Sequence, residues 1–382
     1  MDRVKVNPEI LRWAINREGN FTEIEAKFPK LSDWLDRKKH PTFKQLESFS
    51  KATHTPLGYF FLSDPPEEKF PIPHYRTINN TQKFNPSPDL IETVHTMERR
   101  QDWMRNYLLE VGQERLSFVG STKQTKDSKI IANLMREVLG LKSNWASKRG
   151  TWQEALNDLL HRIQKIGILV MINGIVGNNT HRKLNVNEFR GFVLVDEYAP
   201  LIFINGADGK AAQLFTLAHE LAHVWMGKSA AFDLNLLQPS NDKIEKLCNQ
   251  AAAEFLVPEY DFKTQWNQID HSNNGYQQLA KYFKVSELVI IRRALDLDYI
   301  NFDKYQEFYE QREREEKLKK KNSGGGNFHN SANWRIGPKF ADAIISQVKE
   351  GKTLYRDAYK LTGIKGSTFS KFVKHREDKG GY

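Results

Sequence analysis

The stretch FTLAHELAHVWMG, residues 215–227, places two histidines four positions apart, with a glutamate directly after the first. In a helix His219 and His223 are one turn apart, so both imidazoles project from the same face and can converge on one ion. Glu220 is rotated by about 100° from His219, too far round to be a ligand but close enough to reach a water beside the ion. This spacing is typical of a zinc site with two nitrogen ligands and a general base.

The alternative is an ordinary buried helix that happens to carry these residues. Apolar neighbours surround the motif nearly all round the helix, among them Leu217, Leu221 and Trp225, so the helix is expected to be buried. Burying two imidazoles and a carboxylate without partners is costly, and a shared metal ion removes that cost. A third ligand from elsewhere in the chain would decide between the two interpretations.

A second helix is expected at residues 240–258, SNDKIEKLCNQAAAEFLVP, ended by Pro258. One face of this helix carries Glu245, Asn249 and Ala252 at positions i, i+4 and i+7. Glu245 follows His223 by enough chain for a turn and an antiparallel return, so it can complete the site. Glu254 is a rival carboxylate, and a surface charge is the plain alternative for either. Cys248 is interpreted as a small buried hydrophobe.

Strands precede the motif helix. Three short runs are rich in β-branched and apolar residues and are bounded by turn formers: GILVMIN (167–173), FRGFVLV (189–195) and PLIFIN (200–205). A helix from about Gly209 to Met226 should follow, with Asp208 as its cap and Gly227 as its stop.

Composition sets the outer limits. A chain of 382 residues suggests two or three domains, and a single cysteine, Cys248, excludes a disulfide framework and fits a reducing compartment. The start of the chain lacks an apolar signal region, and no run of 18 apolar residues occurs, so we expect a cytoplasmic protein without membrane contact. The net charge of +10 is concentrated at the end, because residues 327–382 hold 11 Lys and Arg against 5 Asp and Glu.

The expected organisation follows from composition breaks and helical patterns. It comprises a helix-turn-helix-like segment (1–75), a helical connector (76–129), a metal-binding domain (130–310) with a further helix-turn-helix-like run (276–300), a charged and glycine-rich linker (311–327), and a basic helical tail (328–382).

Nucleic-acid contact is expected, if anywhere, in the tail. Residues 22–37, the presumptive recognition segment of the first domain, include four acidic residues, so a docking or structural role is at least as plausible there. The run at 276–300 could read DNA or pack on the metal-binding domain, and packing is slightly favoured. Between residues 360 and 376 all charged side chains are basic, and these are the candidates for phosphate contact: Lys360, Lys365, Lys371, Lys374 and Arg376.

These motifs together resemble the ImmA/IrrE group of zinc-dependent metallopeptidases. The resemblance rests on FTLAHELAHVWMG, IEKLCNQAAAEFLVP and EFRGFVLVDEYAPLIFIN, while NPEILRWA and the stretch after it are similar to the Xre-type helix-turn-helix segment often fused ahead of that peptidase. It implies one zinc ion held by His219, His223 and Glu245, which selects Glu245 over Glu254, with Glu220 as the catalytic base. The implied fold is α+β: a mostly helical multi-domain chain with a zincin-like core, made of a short antiparallel sheet and the motif helix, flanked by helix-turn-helix-like segments.

The resemblance also implies a protein substrate, a helix-turn-helix repressor encoded nearby, whose cleavage releases stress, mobile-element or toxin-antitoxin genes. Arg190 could contact this substrate, although an ion pair is the commoner role for such an arginine. Tyr260 and His271 are candidates for a second oxyanion donor, with a structural role more common for each. The alternative function is a DNA-binding regulator or antitoxin in which the zinc site is structural or vestigial.

Overall fold

Helices make up most of the chain, and a small sheet lies near its middle. The computed structural model describes residues 3–19, 21–68, 86–232, 242–270, 273–318 and 328–378. The α+β class expected from the sequence is confirmed. The chain divides into two units, one of residues 1–71 and 81–94 and the other of residues 72–80 and 95–382.

The first unit is a small helical bundle. Its helices are α1 (Pro8–Glu18), α2 (Phe21–Lys27), α3 (Leu31–Leu35), α4 (Phe43–Ala52) and a 3-10 helix (Leu57–Phe61). As predicted, Asn7 caps α1 by accepting from the Glu9 N–H, and Pro8 occupies the first turn. Thr42 and Gln45 form a capping box at α4. Phe28, Trp34, Phe49 and Phe60 build an aromatic core.

The helices that precede the sheet are α5 (Pro88–Glu110), α6 (Ser128–Val138) and α7 (Trp152–Lys165), with a short 3-10 turn (Ala146–Lys148) between α6 and α7. Helix α5 starts within the residues of the first unit. After the sheet come α8 (Lys210–Met226), α9 (Lys243–Leu256), α10 (Glu259–Trp266), α11 (Asn273–Phe283), α12 (Glu287–Asp296) and α13 (Phe302–Leu318). Ser286 caps α12 as expected. Helix α13 covers the first half of the predicted linker, and residues 319–327 lie outside the described residues.

The sheet contains four strands in the order β1, β5, β4, β6, with a separate β2–β3 hairpin. The strands are β1 (Leu169–Asn173), β2 (Ile175–Val176), β3 (Asn179–Lys183), β4 (Gly191–Leu194), β5 (Leu201–Asn205) and β6 (Ala230–Phe232). The expectation of an antiparallel sheet is right for β4–β5 and β4–β6 but wrong for β1–β5, which pair in parallel. After β1 the chain forms the β2–β3 hairpin outside the sheet and then enters the sheet as β4, which does not pair with β1. The next strand, β5, lies between β1 and β4.

The motif helix α8 has the predicted length, with one correction at its start. Gly209, and not Asp208, is the N-cap residue, and the Asp208 carboxylate accepts from the Gly209 N–H at 2.8 Å instead. At the other end Gly227 takes a left-handed conformation (φ 67°), as the predicted stop requires. The helix packs against β4 and β5 on one side and against α9 on the other.

The basic tail is folded, and its helices belong to the second unit. They are α14 (Phe328–Ile336), α15 (Pro338–Lys349), α16 (Tyr355–Thr362) and α17 (Gly366–Asp378). Helix α14 lies against β1, and Gly337 fits where an added methyl group would come within 3.0 Å of the Val170 carbonyl. Among the described residues, no helix is long and apolar enough to cross a membrane.

Candidate metal centre

The motif helix is buried along almost its whole length. His219, Glu220 and His223 are all 0% exposed. The carbonyls at the end of α8 find partners in the loop before α6, because Gly120 N–H donates to Val224 O at 2.9 Å and Thr122 N–H to Trp225 O at 3.0 Å. The last turn, which carries His223, is therefore fixed from outside the helix.

Three side chains from α8 and α9 converge. The His223 Nε2 atom lies 3.0 Å from His219 Nε2, Glu245 Oε2 lies 3.2 Å from His219 Nε2, and Glu245 Oε1 lies 3.0 Å from His223 Nε2. Ligands held at about 2.0–2.1 Å around a tetrahedral ion are about 3.3–3.4 Å apart. The spacing and the chemistry of two imidazole nitrogens and a carboxylate therefore fit a metal ion.

Glu220 lies beside this cluster without joining it. Among the described residues neither of its carboxylate oxygens has a hydrogen-bond partner, although both are buried. Burial, and then the negative charge of Glu245, raises the pKa of the Glu220 carboxyl well above its usual value. Burying a carboxyl group without partners costs folding free energy, so its presence here indicates a role that the fold itself does not need.

Burial and mutual contact shift the pKa values of His219 and Glu245 in directions suited to a metal. Burial lowers the pKa of His219, opposed by the Glu245 carboxylate and by a hydrogen bond with the Asn249 side chain, so the ring is neutral near pH 7. Burial alone would raise the pKa of Glu245, but the two imidazoles outweigh it and hold that pKa below its usual range. Neutral imidazole and ionised carboxylate are the forms that bind metal.

Gly191 shapes the site and was missed by sequence reasoning. A methyl group on Gly191 would lie 2.7 Å from Thr216 Cγ2, 2.8 Å from Phe203 O and 3.4 Å from Glu220 Oε1. Only a residue without a side chain lets β4 approach α8 this closely. The signal was present, because a glycine that opens an apolar strand often marks close backbone approach.

The rival carboxylate Glu254 is placed elsewhere. It forms a buried ion pair with Arg293 of α12, and its own backbone carbonyl accepts from Arg136 at 2.8 Å. Cys248 is fully buried within the hydrophobic core, and burial raises the pKa of its thiol well above the usual value. Its predicted role as a small hydrophobe agrees with this position.

The candidates for substrate and oxyanion contact are Arg190, Tyr260 and His271, and they lie on different segments of the chain. Arg190 donates to Asp208 at 2.8 Å, the ion pair that the sequence offered as the commoner alternative, and its substrate contact stays a prediction. Tyr260 lies on α10 with 83% of its surface exposed, and His271 lies outside the described residues.

The five basic residues of the tail differ in their surroundings. Lys360 on α16, Lys365 in the following turn, and Lys371 and Lys374 on α17 are exposed. Arg376 is only partly exposed, and its guanidinium makes two 2.8 Å hydrogen bonds to the Asp342 carboxylate. Their role in binding nucleic acid stays a prediction.

A helix with two buried histidines, joined by a carboxylate on a second helix and backed by a mixed sheet, forms a site that could hold a metal ion. Residues 163–295 match the family model Peptidase_M78, described as an IrrE N-terminal-like domain. The match supports a metallopeptidase-type domain of the ImmA/IrrE family. Residues 336–375 match a domain of unknown function, DUF8813. No curated protein matches the chain.

Proposed function

We propose that the protein is a zinc-dependent endopeptidase that cleaves a helix-turn-helix repressor of the Xre type. The observation that carries the proposal is the convergence of His219, His223 and Glu245 within hydrogen-bonding distances of one another beside the unpartnered carboxylate of Glu220. Two nitrogens and one carboxylate oxygen are a usual zinc ligand set, and they leave a fourth position for a reactant.

The chain's own residues would divide the work. His219, His223 and Glu245 would hold the ion, which when bound supplies Lewis-acid activation of water and of the scissile carbonyl. Glu220 would accept the proton of the attacking water and pass it to the leaving amine.

A protein substrate fits the architecture. Strand β6 forms one end of the four-stranded sheet and follows α8 directly. Extended peptides commonly add to such edges by main-chain hydrogen bonds. The repressor class comes from the resemblance to the ImmA/IrrE group, and we propose that cutting it releases stress, mobile-element or toxin-antitoxin genes. Helices α1–α4 would serve as an Xre-type segment that docks protein, since their acidic residues disfavour direct DNA reading.

The test is co-expression of the chain with the helix-turn-helix repressor encoded beside it. We expect the purified chain to contain about one zinc ion by mass spectrometry, as one ligand set implies. Glu220→Gln should keep that zinc and abolish cleavage. Glu137→Gln, the same change at an exposed position of α6, is the matched control and should leave both zinc and cleavage unchanged.

The alternative is a DNA-binding regulator with a structural metal. The exposed lysines of α16 and α17 favour it. If wild type and Glu220→Gln both leave the repressor intact while retaining zinc, the peptidase proposal fails and the metal is structural.

A further inference from the structure

The last three helices have the connectivity of a helix-turn-helix unit. Helix α16 ends at Thr362 and is followed by the left-handed cap residue Gly363 (φ 73°), and α17 begins at Gly366. The turn between them buries Ile364, whose N–H donates to the Thr362 hydroxyl at 3.2 Å. A three-residue turn with a left-handed glycine and one buried apolar residue is typical of this motif.

One face of α17 packs inward and closes the three-helix unit. Phe369 contacts the rings of Tyr355 and Tyr359 on α16, with ring centroids 6.2 and 5.4 Å apart. Arg376 binds Asp342 on α15 with two hydrogen bonds. Because Arg376 already pairs with a carboxylate of these three helices, the phosphate contacts proposed below are assigned to the lysines.

The opposite face of α17 is exposed and basic. It presents Ser367, Ser370, Lys371 and Lys374, which at spacings of three, four and seven residues lie along one side of the helix. No carboxylate partner of Lys371 or Lys374 occurs in the part of the chain that the structure describes. The nearest acidic residue along α17 is Glu377, and that carboxylate pairs with Lys349 of α15 at 2.5 Å.

We propose that α17 is a recognition helix that binds the major groove of duplex DNA. The lysines of its outer face, with Lys360 and Lys365 beside the turn, would contact phosphates, while the Ser367 and Ser370 hydroxyls face base edges. A duplex is favoured over a single strand, which proteins usually bind by stacking bases on aromatic rings. Both aromatic residues of α17, Phe369 and Phe372, are buried inside the unit.

Hydrogen bonds join the proposed DNA-binding helices α15–α17 to the β2–β3 hairpin and to α5. Asn178, in the β2–β3 turn, donates to the Gly363 carbonyl at 2.7 Å, and the buried Arg100 of α5 donates to the Leu361 carbonyl at 2.8 Å. Binding to DNA would therefore place the metal centre beside other proteins on the same DNA. This last consequence rests on the proposed peptidase function, whereas the binding itself does not.

The experiment measures fluorescence anisotropy of a short labelled duplex of random sequence with the full chain. We expect affinity to fall steeply between about 50 and 200 mM salt. Lys371→Glu/Lys374→Glu should weaken binding by about tenfold or more and reduce the slope of log K against log salt by about 2, since each lost phosphate contact accounts for about 0.9. The control Lys142→Glu/Lys148→Glu changes the net charge equally at exposed sites outside the unit and should weaken binding less than about threefold.

Three outcomes would overturn the proposal: no salt-dependent binding of the duplex by wild type, equal weakening by both double variants, or tighter binding of single-stranded RNA or DNA of the same sequence. Thermal melting monitored by circular dichroism shows whether each variant is folded. Ser367→Ala/Ser370→Ala, a variant without charge change, should alter the preference among duplex sequences but leave the salt slope unchanged. Because the assay needs no cleavage, its failure is separate from failure of the peptidase proposal.

Discussion

Gly191 and Glu220 meet where β4 crosses the motif helix. A Cβ atom at residue 191 would lie 3.4 Å from Glu220 Oε1 and 2.8 Å from the Phe203 carbonyl. The carbonyl belongs to the paired strand β5 and cannot move independently of the sheet. The position of the Glu220 carboxyl group is therefore set by the backbone of a strand, at a residue that has no side chain.

Gly191→Ala should move α8 away from the sheet. We expect the free energy of unfolding to fall by about 1–3 kcal/mol, as for other overpacked sites, and cleavage to fall further because Glu220 moves with its helix. Differential scanning calorimetry and the repressor assay measure the two effects. Gly58→Ala, at an exposed position of the first unit's 3-10 helix, is the control, since nothing lies within 4 Å of an added Cβ there. Equal behaviour of the two variants would show that the close approach is unimportant.

Glu220→Gln should abolish cleavage and should also raise the free energy of unfolding of the metal-free protein. The folded pKa of Glu220 is raised above its ordinary value of 4.5, so the native state holds a proton that the unfolded chain has released. Wild-type stability therefore falls as pH rises from about 4.5 through the folded pKa, at about 1.4 kcal/mol per pH unit. Glutamine has no such dependence.

The gain for Glu220→Gln should thus be smallest near pH 4.5 and larger at pH 7, measured by urea unfolding in the presence of a chelator. A gain that stays constant with pH would mean that Glu220 is not protonated in the folded metal-free state.

Glu245→Gln and Glu254→Gln should separate metal binding from stability. Glu245 has both carboxylate oxygens within 3.2 Å of the imidazole nitrogens, so its loss should reduce zinc content strongly. Glu254→Gln breaks the buried pair with Arg293 and should cost about 3–5 kcal/mol of stability while zinc is retained. Zinc analysis and thermal melting of both variants provide the comparison. Loss of zinc from Glu254→Gln at temperatures where the protein is folded would contradict the ligand assignment.

Local pattern predicted the helices of the site well, because spacing along one helix determines which side chains share a face. His219, His223 and Glu245 were named from such spacing, with the resemblance to a family deciding between Glu245 and Glu254. The parallel pairing of β1 with β5 could not be predicted, since it depends on where the β2–β3 hairpin carries the chain. Contacts between distant segments, such as Gly191 with α8, leave only weak local signals.

Arg100 makes long-range contacts that no local sequence pattern predicts. The residue is 4% exposed, and its guanidinium donates to the Arg335 carbonyl at 2.8 Å, the Leu361 carbonyl at 2.8 Å and the Thr362 carbonyl at 3.5 Å. These carbonyls lie in the last turns of α14 and α16, where helices have free acceptors and a partial negative charge. Burial lowers the pKa of Arg100 to about 10, so the group remains charged at neutral pH.

Arg100→Leu should leave these buried carbonyls without a donor and lower the free energy of unfolding by about 2–4 kcal/mol. Hydrogen exchange should increase in residues 328–378, because the end of α16 loses its attachment to α5, while zinc content stays constant. Arg99→Leu removes the neighbouring, exposed arginine from the same helix and should change stability by less than about 0.5 kcal/mol. If the two variants are equally stable, the link between α5 and the C-terminal helices contributes nothing, and these helices are held to the rest of the second unit by other contacts, such as the one between Asn178 and Gly363.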